Sequence, residues 1–123
     1  MTRAEIVEKA LGVTLPRDYV AFLERYGCYE GEGGEVYGYD DEIIDVDQLP
    51  CVIGATRLLW QDYPELAKTY VSVHFTGAEN EQVILNTITG EIYMITDEGK
   101  VKIAHSFHQW FDSEILANVG TSD

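Results

Sequence analysis

Eight carboxylates fall in a stretch without a single base: Glu30, Glu32, Glu35, Asp40, Asp41, Glu42, Asp45 and Asp47 all lie between Arg25 and Arg57. Oxygen ligands at this density suit calcium, but the run has neither the Asp-x-Asp-x-Asp-Gly loop nor the distant Glu of an EF-hand. Paired carboxylates also perform general acid and base chemistry when a closed cleft raises the pKa of one of them. A run of mutually repelling acids reads more simply as a solvated face. Tyr29, Tyr37 and Tyr39 are interleaved with these acids. Tyrosine suits a protein interface because it presents a large rigid body with a polar tip, and alternate strand residues equally serve as core anchors.

The remaining reactive side chains make weaker patterns. His108 and Asp112 are one helical turn apart and could share a metal, but Ser106 reads as the helix cap and leaves His105 outside the shared face. His105 is then expected to pack on Trp110 as a staple, and His74 to sit on the polar side of a strand. Gly31-Glu32-Gly33-Gly34 carries acid and lacks the P-loop lysine, so it is no phosphate cradle. Cys28 and Cys51 have no histidine near them in sequence and read as reduced thiols. No catalytic residue, cofactor or metal is assigned.

The elements that position these residues follow from capping and periodicity. Thr2-Arg3-Ala4-Glu5 is a capping box, followed by Ile6, Val7, Ala10 and Leu11 at helical spacing up to Gly12. A second helix is expected from Pro16, with Asp18 in its positive first turn, Tyr19, Phe22, Leu23 and Tyr26 on one face, and Gly27 as its stop. The glycines at 31, 33 and 34 predict a loop, residues 35–39 a strand, and Ile43-Ile44-Asp45-Val46 a further short strand. Ala55, Leu58, Leu59 and Tyr63 predict a short helix ending before Pro64.

From Tyr70 the period becomes two. Val71, Val73 and Phe75 should face one way, Ser72, His74 and Thr76 the other. Turns at 77–80, Thr89-Gly90 and 97–99 divide the following strand formers into an antiparallel meander. Ser106 to Gln109 is a second capping box, with Phe107, Trp110, Phe111, Ile115 and Val119 as the apolar face of a last helix. The expected fold is a single α+β domain over residues 1–120, an antiparallel sheet covered on one face by N-terminal and C-terminal helices, with 121–123 frayed.

Three segments extend the pattern set by Leu15 to Gly27: the strand Tyr70 to Gly77, the hairpin Val83 to Tyr93, and the helix start Ala104-His105-Ser106-Phe107-His108-Gln109-Trp110. Together they resemble the SUKH superfamily, which includes bacterial immunity proteins against secreted toxins and yeast regulators of cell-wall assembly. Asn86 stands where many members carry Asp. The resemblance implies the fold just described, no enzyme activity, and a protein partner.

Composition narrows that partner. Against 8 Lys and Arg stand 22 Asp and Glu, a formal net charge of −14, which repels nucleic acid backbones and anionic membranes. No uncharged apolar run approaches the roughly 18 residues of a membrane span, and Met1 to Ile6 lacks the apolar stretch of a signal peptide, so a cytoplasmic location is expected. The leading expectation is an immunity protein that neutralises a cognate toxin, a basic nuclease, with the acids from Glu30 to Asp47 imitating phosphates. A regulatory scaffold for a non-toxin partner is the alternative, and a carboxylate or calcium-dependent enzyme the third. Oligomeric state does not follow from the sequence.

Overall fold

The computed structural model describes residues 2–31, 34–39, 51–75 and 81–115, with the backbone alone at 30, 31 and 34. Helix α1 (Arg3–Leu11) opens with the expected capping box: Thr2 Oγ1 accepts from the Glu5 N–H, and the Glu5 carboxylate accepts from the Thr2 N–H, both at 3.1 Å. Hydrogen bonding to the Thr2 backbone, and then to its side chain, holds the Glu5 carboxyl below its ordinary value. Gly12 ends the helix at φ 70°, where glycine meets no Cβ penalty. Helix α2 (Arg17–Arg25) begins one residue later than the proline rule suggests, because Pro16 keeps an extended backbone and occupies the cap itself.

A six-stranded antiparallel sheet follows chain order without a swap: β1 (Tyr29–Gly31), β2 (Gly34–Val36), β3 (Tyr70–Phe75), β4 (Gln82–Asn86), β5 (Ile92–Thr96) and β6 (Gly99–Ala104). The last four strands are the predicted meander. The predicted strand 35–39 is present at Glu35 and Val36 and stops there, while β1 and the start of β2 take the place of part of the predicted loop: Tyr29 pairs with Val36, Glu30 with Glu35 and Gly31 with Gly34. Backbone hydrogen bonds need no side-chain alternation, so glycine-rich sequence can pair without announcing it. Helix α3 (Val52–Asp62) sits between β2 and β3 in sequence and starts earlier than expected. Val52, Ile53, Gly54, Ala55 and Thr56 are all buried, so its first turns show no helical period, and Leu58, expected in the core, is 50% exposed.

Two apolar clusters flank the sheet. The larger joins Val36, Val71, Val83, Leu85 and Ile92 to residues of α1, α2, the start of α3 and α4 (Phe107–Trp110). The smaller uses the alternate residues Tyr70, Ile84 and Ile95, with Leu59 of α3 above them. Coverage of a single face is therefore corrected: α3 contributes to both clusters. Ser72, assigned to the polar side, is fully buried there, with its N–H donating to Thr56 Oγ1 at 3.0 Å.

An irregularity between Ser72 and His74 shifts the register of β3 against β4, so His74 rather than Val73 opposes Val83. One extra residue reverses the facing of all that follow. His74 thereby reaches Trp110, ring centroids 5.4 Å apart, and Phe75 is left half-exposed. The staple predicted for His105 is thus corrected. His105 is exposed, and its N–H donates to Gln109 Oε1 at 2.9 Å. After Trp110 the chain widens into a π-helical turn, Phe111–Ile115, where Ser113 Oγ donates to the Gln109 carbonyl at 2.8 Å. Val119, the predicted strand 43–46 and the turn at 77–80 lie outside the described residues.

Candidate protein-interaction surface

The acid-rich segment is rooted where α2 ends. Gly27, at φ 75°, turns the chain away from the helix, and its carbonyl accepts from the Tyr39 N–H at 3.0 Å. Gly38 lies directly against that carbonyl: a Cβ there would come within 1.8 Å of Gly27 O. Only glycine permits this approach. The Gly38 carbonyl in turn accepts from the Val52 N–H at 2.7 Å, and Gly38 forms a parallel bridge with Cys51. Gly38 and Cys51, which bracket residues 39–50, are therefore held side by side.

The structure separates Tyr37 from Tyr39, which the sequence grouped together. Tyr37 is 5% exposed, its N–H donates to the Val73 carbonyl, and its own carbonyl accepts the buried Tyr19 hydroxyl at 2.6 Å. A side chain so enclosed has no surface to offer, so Tyr37 is a core anchor and leaves the set of contact candidates. Burial, reinforced by the charge of Glu35, pushes its phenol up to about 12. Tyr39 is half-buried and packs against the core. Glu35 is exposed on β2, and Glu30 opposes it across the hairpin. Glu32, Asp40, Asp41, Glu42, Asp45 and Asp47 lie outside the described residues.

Next to this root is a cleft of about 330 Å³ between α2 and the C-terminal helix, lined by Asp18, Phe22, Arg25, Tyr26, Phe107, His108, Phe111 and Asp112 among others. Its floor is aromatic. Phe111 meets Phe22, Tyr26 and Tyr29 edge-on at centroid distances of 5.2, 5.5 and 5.4 Å. Tyr29, the first residue of β1, packs its ring against the cleft-lining Tyr26 and Phe111. The rim is charged: the Arg25 guanidinium lies over the Tyr26 ring at 5.4 Å, and His108 Nε2 is 3.0 Å from Asp112 Oδ2. An aromatic floor with a mixed rim is chemistry for seating a side chain of another protein.

The cleft was invisible as a unit in the sequence. Its walls are some ninety residues apart, and each wall residue already had a local explanation as cap or core. The one pointer was Asp18, an acid in a first helical turn. The metal reading of His108 and Asp112 finds the two side chains paired with each other and exposed, and among the described residues no three His, Cys, Asp or Glu side chains gather in a way that could hold a metal ion. Nor is any described helix long and apolar enough to cross a membrane.

Comparison with known proteins bears on the whole domain. The family model described as SMI1 / KNR4 family (SUKH-1) matches residues 4–113, from the first turn of α1 to the π-helical turn. No curated protein matches the chain.

Proposed function

The chain belongs to the SMI1/KNR4 family (SUKH-1), whose members include toxin immunity proteins and cell-wall regulators and bind protein partners, and from that premise we propose that it is an immunity protein for a toxin with a basic, phosphate-binding surface. The family is generally non-enzymatic, so the work of this domain is recognition. A nuclease needs a positive groove for its substrate, and carboxylates that imitate phosphates compete for it.

The observation that carries this reading is the way the acidic segment is mounted. Gly38 and Cys51 bracket residues 39–50 and are held together against Gly27, just past the end of α2. Within the hairpin before it, Glu30 stands opposite Glu35 in the backbone register. The contact surface in this reading comprises Glu30, Glu32, Glu35, Asp40, Asp41, Glu42, Asp45 and Asp47, with Tyr39 beside them and the aromatic cleft taking an anchoring side chain.

The test is association with a toxin encoded beside this gene, measured across a salt series. Electrostatic steering predicts an on-rate that falls steeply with ionic strength and falls again when Asp40, Asp41 and Glu42 become Asn, Asn and Gln. A flat salt response removes the mechanism. Tight binding of a non-toxin partner, with no rescue of cells expressing the toxin, establishes the regulatory scaffold instead.

A further inference from the structure

Strand β6 ends the sheet, and among the described residues nothing pairs with its outer side. Edge strands present a row of unpaired N–H and C=O groups to any chain that can lie alongside. Val101, opposite Met94, is 67% exposed, and Ile103, 42% exposed, is the extra residue where β6 bulges between Lys102 and Ala104 and lies on the side of Met94. Lys102 is paired with Glu91 at 2.7 Å. Lys100 differs: its ammonium sits 5.6 Å from the ring centroids of both Tyr70 and Tyr93, and no described carboxylate pairs with it. In a chain of net charge −14 this cation borders a cleft that Asp62, Glu65 and Asp97 also line, and it pairs with none of them.

The same residues argue against a second copy as the occupant. Two β6 strands related by a two-fold axis continue one sheet only in registers that keep Val101 and Ile103 on the same face. Every such register centred between Lys100 and Lys102 sets lysine against lysine, which is destabilising. We propose that β6 is a docking edge for an extended segment of a different protein, with apolar residues opposite Val101 and Ile103 and a carboxylate opposite Lys100. Strand addition of this kind takes its affinity from main-chain hydrogen bonds and its selectivity from the alternating side chains. The surface is separate from the acidic segment, so it stands whether or not the immunity reading holds.

The test uses the full chain and three capped eight-residue peptides: alternating Val and Glu, alternating Val and Lys, and a Gly-Ser control. Amide hydrogen exchange is followed residue by residue. The Val-Glu peptide should slow exchange at outward amides within residues 99–104 and leave α1 and α2 unchanged. The Val-Lys peptide should bind at least tenfold more weakly, and K100E should reverse that order. K100E is surface-exposed, and its circular dichroism and melting temperature verify that the fold persists. Protection that is equal for both charged peptides, or absent from 99–104 at saturation, overturns the proposal. So does a concentration-dependent dimer that protects the same amides without peptide.

Discussion

The carboxylate of Asp18 accepts a hydrogen bond from the backbone N–H of His108 at 3.0 Å, across ninety residues of chain. Its other oxygen accepts from the Tyr19 N–H at 2.9 Å. One side chain thereby serves the first turns of both α2 and α4, where unpaired N–H groups collect and a negative charge is favoured.

Replacing Asp18 with Ala should therefore cost about 1–2 kcal/mol, the loss of a helix cap. The urea midpoint measures it. Because α2 and the C-terminal helix form the cleft, the variant should also lose hydrogen-exchange protection at residues 107–111 more than in the sheet. Loss confined to α2 would show that the second contact contributes little.

Gly38→Ala should be far more damaging than its size suggests. The new methyl would meet the Gly27 carbonyl at 1.8 Å, and relieving that contact must disturb the Tyr39–Gly27 and Val52–Gly38 hydrogen bonds. A loss of about 3 kcal/mol or more, read as a melting temperature roughly 10 °C lower, is expected. Gly12→Ala is the contrast: it meets open space and carries only the strain of φ 70°, about 1 kcal/mol.

Tyr19→Phe removes the hydroxyl that donates to the Tyr37 carbonyl at 2.6 Å in the core. Leaving a buried acceptor unsatisfied should cost about 1–3 kcal/mol, measurable by chemical denaturation.

Alkaline pH should weaken the fold through the same pair of tyrosines. Burial raises the Tyr19 phenol well above its ordinary value, and burial with the charge of Glu35 raises Tyr37 to about 12. Both are neutral when folded, whereas the unfolded phenols ionise near about 10. Their contribution is complete below that value and is lost as pH rises from it, for Tyr37 up to about 12. Tyr37→Phe should flatten this part of the stability profile. An unchanged slope would show that another group governs it.

Legibility from sequence followed the locality of the forces. Thr2, Glu5 and Gly12 announced α1 because a cap is a matter of neighbouring residues, and β3 to β6 announced themselves by alternation between glycine turns. Val52 to Thr56 gave no period because the first turns of α3 are buried all round. Of the β1–β2 hairpin, Glu35 and Val36 were legible from their strand-forming content, whereas β1 was hidden because it is three residues long and ends in glycine. His74 was misassigned because a shift of register in β3 leaves no mark on residue types. The cleft depends on Asp18 meeting His108, a contact that no short window contains.

The closure at Gly38 and Cys51 has an evolutionary consequence. With Gly38 and Cys51 fixed beside each other, chain added between them need not displace the described elements, and each doubling of a closed segment costs only about 0.6 kcal/mol in closure entropy. Insertions, deletions and charge changes can accumulate there while the core keeps its sequence constraints. Under the immunity reading proposed above, recognition can then be revised between residues 39 and 50 while the described scaffold is inherited unaltered.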